Sequence, residues 1–307
     1  MIHSVEELRD ALSGTGLAER EISKLPILDT GEHAFAMELE VPELASAWSA
    51  ARGLVGRTER WPVVISTWDE DAGTWSDRLL ASDPFSRFHF EEGAPGADVS
   101  PRAILARADQ VDVDEFLARL ADERAASEDL EDAAGWELAE TERAVGSRPT
   151  WEACYGATVF GRPVGCVHDL DRYLLDWELA HAGGVPSTGI TEWFVPSDAT
   201  LLLLPIAKSW DALAYLHWYA SSGRPAELDI ALGREWQRRY GAEIVTHFGT
   251  MLGCRVTRRP DSVDEAWQLA REHDLAAPYT LLGPGERVRR YALELRNSER
   301  WQLHERP

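Results

Sequence analysis

Residues 199–206 read ATLLLLPI, a run too short for a buried helix and too continuously apolar for a strand with one wet face. A strand of this kind is buried on both faces, so the chain must cover two sides of a sheet. ITEWFVP (190–196) precedes it through a Ser-Asp turn and is expected to pair with it.

The covering layers are legible nearby. SWDALAYLHWYA (209–220) reads as a helix that the following GRP breaks. From Pro225 a second helix sets Leu228, Leu232, Trp236 and Tyr240 four residues apart, so the four share one face. Gly241 then stands where a helix end needs left-handed backbone angles. AEIVTHFG and MLGCRVTR form a hairpin around Gly249 and Thr250, and Ser262 with Glu265 opens the helix VDEAWQLAREHDL as a capping box. A helix at 286–297 and a short strand WQLHE end the chain.

Upstream, Ser4 and Glu7 form a capping box for a helix over 4–13. HAFAMELEV (33–41), the proline-led helix PELASAWSAARGLV and the β-branched strand RWPVVIST (60–67) make a strand, helix, strand unit. EEGAPGADVS (91–100) is a loop. Residues 111–146 read as one acidic helix with Val113, Phe116, Leu117 and Leu120 on its apolar stripe, and a poorer stripe beyond. The fold class is α+β, a mixed sheet flanked by helices with an acidic helical N-terminal and middle region. It divides into an N-terminal α/β region (1–110), an acidic helical connector (111–150) and a C-terminal α+β module (151–307).

The net charge is −22, and it is unevenly placed: residues 201–307 hold 14 acidic against 15 basic residues, and residues 1–200 hold 39 against 16. Such a surface repels nucleic acid and anionic membranes; it favours a basic protein partner, although solubility alone also accounts for it. No apolar stretch nears the roughly 20 residues that span a bilayer, and the acidic start lacks the basic and apolar regions of a secretory signal. A cytosolic protein is expected. Cys154, Cys166 and Cys254 have no Cys-x-x-Cys spacing, which points to reduced thiols and to neither a disulfide framework nor a cysteine zinc site. Lys24 and Lys208 are the only lysines, an arginine bias that suggests a GC-rich bacterial source.

The segments LLLLPIAKSWDALAYL, WQRRYGAEIV, RRP and DEAWQLAREHDL, in that order and spacing, resemble the bacterial domain-of-unknown-function family 4253. AWSAARGLVGRTERWPVVI is similar to the segment that precedes this domain in longer members. Two departures stand out: HWYASSGRPA replaces a Gly-Gly-Trp-Asn-like segment and DLAAPYTLLG a Cys-Pro-Asp-like one, so an activity resting on either would be lost here. The resemblance implies a fold more than a reaction. Through the toxin-immunity neighbourhoods such domains look like, it also implies a binding role.

One set of residues is a candidate binding site: Trp210, Trp236, Arg239, Tyr240 and Glu243, with Glu243 facing an aromatic pocket and Arg239 holding an anionic group. The same spacing also describes core rings beside surface charges. HDLD (168–171) has the His-Asp pair of metal phosphohydrolases, but the paired histidines that chemistry needs are missing, so a helix start capped by aspartate is the reading adopted. GPGERVRR (283–290) is a glycine turn without the Walker or Rossmann pattern, and its arginines, with Arg238, Arg255, Arg258 and Arg259, are expected to face the acidic N-terminal part in an interdomain contact. No catalytic residue, metal site or cofactor is assigned. A non-enzymatic interaction module, immunity-like in kind, leads; an enzyme using a pocket near Trp210, Trp236 and Glu243 on a small anionic substrate is the alternative.

Overall fold

The Leu-rich run does form a strand buried along its whole length, and it lies inside a mixed sheet. The computed structural model describes residues 1–27, 30–67, 74–81, 83–85, 96–181, 190–218, 224–282 and 286–306. The loop expected at 91–100 and the glycines of GPGERVRR fall largely outside these. In chain order the strands are β1 (Ser23–Pro26), β2 (His33–Leu39), β3 (Trp61–Ile65), β4 (Thr158–Val159), β5 (Arg162–Pro163), β6 (Ala199–Leu204), β7 (Glu243–Phe248), β8 (Met251–Arg255) and β9 (Arg300–His304). The helices are α1 (Val5–Leu12), α2 (Leu44–Gly53), α3 (Val55–Thr58), α4 (Trp75–Ala81), α5 (Pro101–Ala108), α6 (Val113–Ser127), α7 (Leu130–Val145), α8 (Trp151–Tyr155), α9 (Val167–His181), α10 (Ala226–Tyr240), α11 (Val263–Ala276) and α12 (Val288–Leu295). None among the described residues is long and apolar enough to cross a membrane.

The chain forms two interleaved units. Unit 1 comprises residues 1–113, 193–257 and 304–307; unit 2 comprises 114–192 and 258–303. The linear divisions read at 110 and 150 contrast with this arrangement, in which the chain returns to unit 1 after each visit to unit 2.

Among the described residues, unit 1 holds six hydrogen-bonded strands in the order β1-β2-β6-β3-β7-β8. β6 is antiparallel to both β2 and β3, while β3 and β7 are parallel. The expected strand, helix, strand unit therefore has its two strands running in the same direction, with β6 inserted between them. Residues 193–196 form no strand; the partners of β6 come from far earlier in the chain. Arg60 ties these pieces together. Its buried guanidinium donates to the carbonyls of Ile2, His33 and Leu203 and stacks over Phe35. With no carboxylate bonded to it among the described residues, burial drops its pKa to about 10.

The predicted helix at 209–220 shrinks to a 3-10 turn at Trp210–Ala214. Every residue from Ser209 to Trp218 is buried, so the segment has no wet face for an amphipathic helix, and packing overrides propensity. α10 runs as predicted and ends at Gly241 with φ +61°. The β7–β8 hairpin turns at Gly249, φ +68°.

Unit 2 is mainly helical: α7, α8 and α9 pack with the β4–β5 hairpin around Leu138, Cys154, Leu170 and Leu174, and α12 packs against α9 and α11. The single acidic helix expected over 111–146 is two, because Asp129 turns its side chain back to cap α7, accepting from the amides of Glu131 and Asp132.

Candidate functional site

The five residues singled out in sequence all lie in unit 1. Trp210, Trp236 and Tyr240 are fully buried, and the two indoles meet edge to face at 5.7 Å. Trp210 Nε1 donates to the Ala242 carbonyl at 2.9 Å. Its ring also fills the space beside Gly233, where an added Cβ would stand 1.9 Å from Trp210 Cε3. Arg239 stacks on Tyr240 and donates to its hydroxyl. Glu243 accepts two hydrogen bonds from Arg52, at 2.9 and 2.5 Å, while Arg52 lies over Trp61. These rings are interior packing, and the charged members are bound to the chain's own groups.

Unit 2 opens a cavity of about 330 Å³. The start of α9 brings His168 and Asp171 to its wall, the end of α11 brings Asp274, α6 brings Arg124, the break between α6 and α7 brings Glu128 and Asp129, α7 brings Trp136 and Glu137, and the approach to α12 brings Glu286 and Arg287. Six carboxylates thus face two arginines and one histidine.

Behind this wall lies Arg289, wholly buried. It donates to Glu137 at 2.5 Å, Asp171 at 2.6 Å and Glu178 at 2.8 Å, and Thr141 joins the cluster through its hydroxyl. Burial alone would lower the pKa of Arg289, but the charges of Asp171, Glu137 and Glu178 outweigh it and hold the group above its ordinary value. Asp171 is raised by burial, against the pull of Arg289. Arg287 adds a bridge to Glu137 at 2.8 Å. Arg287 and Arg289 meet Glu137, Asp171 and Glu178 inside the same unit and not across domains; Arg238, Arg258 and Arg259 pair with Glu235, Asp261, Glu265 and Glu299 in the C-terminal third itself.

Nearer the cavity, His168 Nε2 lies 2.9 Å from Asp274 Oδ2, and Arg124 approaches the same oxygen at 3.6 Å while bridging Glu128 at 2.5 Å. The aspartate cap read into HDLD does not form: α9 already runs from Val167, so Asp169 lies in its first turn and accepts from the upstream Gly165 amide at 3.1 Å. The partner of His168 is 106 positions away, beyond the reach of local spacing. Among the described residues no group of three or more His, Cys, Asp or Glu side chains is placed to hold a metal ion. At the rim, Trp136 is 72% exposed. It stands on the half of residues 111–146 where the apolar stripe is poorer.

Residues 200–304 match the family model described as Domain of unknown function (DUF4253). This segment supplies β6 to β8 and α10 to unit 1, and α11 and α12 to unit 2. Asp274, Glu286 and Arg287 of the cavity fall within it; Arg124, Trp136, His168 and Asp171 precede it. No curated protein and no solved structure matches the chain.

Proposed function

We propose that this protein, whose C-terminal third matches a family without an assigned activity, is a non-enzymatic interaction module, immunity-like in kind, that meets a basic protein partner through an acidic face on α6 and α7. The observation that carries the reading is the state of the acids there. Asp114, Asp122, Glu131 and Asp132 are exposed and enter no ion pair among the described residues, whereas Arg119, Arg124 and Arg143 each pair with a glutamate of unit 2. Unneutralised charge of one sign projects a field that raises the encounter rate with an oppositely charged protein. We place its action in the cytoplasm of a bacterium, in keeping with three cysteines that carry no disulfide and the scarcity of lysine.

The enzymatic alternative, a small anionic substrate near Trp210, Trp236 and Glu243, has less to support it, since Arg52 occupies the Glu243 carboxylate and the rings fill the interior. The test is capture of a basic protein from the source cell at low ionic strength, followed by association kinetics with the purified pair. Replacing Asp114, Asp122, Glu131 and Asp132 by lysine should slow association by about tenfold or more and flatten its salt dependence. An association rate indifferent to these four changes would remove the acidic face from the function.

A further inference from the structure

We infer that the unit 2 cavity is a receptor for one arginine side chain, whose guanidinium would sit against Asp274 and Glu128 with the indole of Trp136 closing over it. This rests on the reading of a basic protein partner and names the group of that partner that enters.

Size and charge select the ligand class. At about 330 Å³ the cavity stands near the lower end of small-ligand pockets, about 300–1,000 Å³, so it takes a side chain and not a helix. Its wall is negative on balance even after the buried Arg289 is set against Glu137 and Asp171. Those two carboxylates are committed to Arg289 and Asp129 caps α7; of the rest, Asp274 and Glu128, both near Arg124, form the side that meets a ligand.

The chain supplies its own guanidinium as a stand-in. Arg124 bridges Glu128 at 2.5 Å but reaches only to 3.6 Å from Asp274, beyond hydrogen-bonding distance. Asp274 is 5% exposed, and among the described residues the one hydrogen bond of its carboxylate is to His168, through Oδ2. A buried carboxylate can accept several hydrogen bonds, and a planar guanidinium donating two in parallel is the group that matches it best. Trp136 completes the site. Its ring is exposed on the rim and meets no other ring or cation among the described residues, and a flat indole is the strongest of the aromatic partners for a cation.

The experiment titrates the full-length protein with Nα-acetyl-arginine N-methylamide at low salt, following by NMR the Trp136 indole N–H, assigned as the resonance lost in Trp136→Ala. The lysine and citrulline counterparts run in parallel. The expected result is a saturable shift with the arginine compound, none with neutral citrulline and a weaker one with lysine. Trp136→Ala should weaken binding by about threefold or more, read from the His168 ring resonances. Arg124→Gln removes the competing guanidinium and should tighten it. Asp274→Asn should abolish it with the circular dichroism spectrum unchanged; should that variant misfold, Trp136→Ala and Arg124→Gln, on exposed and half-exposed side chains, carry the decision. Equal binding of citrulline, equal binding of lysine, or indifference to both of these variants overturns the inference. Absence of any shift while the basic partner still associates in a charge-dependent manner overturns the cavity alone; loss of that charge dependence overturns the acidic face.

Discussion

Two residues show how single positions are dictated by what surrounds them. Gly233 lies inside α10, where glycine costs about 1 kcal/mol against alanine, yet a Cβ there would overlap the Trp210 indole at 1.9–2.0 Å. Gly233→Ala should therefore destabilise the protein by about 1–3 kcal/mol despite its better helix propensity, as a lower urea midpoint would show. His247 stands on β7, opposite Leu252 and Ile65, and burial lowers its pKa to about 4. The folded chain thus refuses a proton that the unfolded chain takes up below about pH 6.5. Stability from this residue is complete above that pH and is lost as pH falls toward 4, a difference of about 3 kcal/mol. Denaturation midpoints of wild type and His247→Gln between pH 7 and 4 should converge as the wild type loses this contribution; parallel profiles would mean that the proton enters the folded state freely.

At the scale of elements, Arg289 on α12 joins α7 through Glu137 and α9 through Asp171 and Glu178. Removing one partner of a buried ion cluster costs more than the cluster itself contributes, because the remaining charges stay buried without compensation. Arg289→Met should cost about 3–5 kcal/mol in chemical denaturation, and a loss under about 1 kcal/mol would show that the three carboxylates accommodate the change by protonation. This cluster also marks the limit of what the sequence conveys. Elements announced by local chemistry were legible: the Ser4–Glu7 capping box, the α10 stripe ending at Gly241, the turn at Gly249. Burial of β6 was legible too, but not its neighbours, since an apolar run says that a strand is covered and not by what. The break at Asp129 was missed because high helix propensity on both sides hides one side chain that caps better than it continues. The cavity was hidden for a different reason. Its His168–Asp274 pair spans 106 positions, so no local spacing announces it.

For the whole molecule, electrostatics sets two opposing responses to salt. Even if all 31 arginines and lysines were paired one to one, 22 of the 53 acidic side chains would remain unmatched. That surplus repels itself in the folded chain and attracts a basic protein from outside. Raising ionic strength from 0.01 M to 0.15 M shortens the screening length from about 30 Å to about 8 Å, which weakens both effects. Melting temperature should therefore rise by a few degrees with NaCl while the association rate with a basic partner falls, and the charge-reversed α6–α7 variant should show smaller slopes in both. Opposite signs from one protein in one buffer series tie the two measurements to the same surplus. A melting temperature that falls with NaCl would mean that the internal pairs, among them Arg52–Glu243 and the Arg289 cluster, outweigh the surplus, and the field proposed to steer a partner would then be too weak for that task.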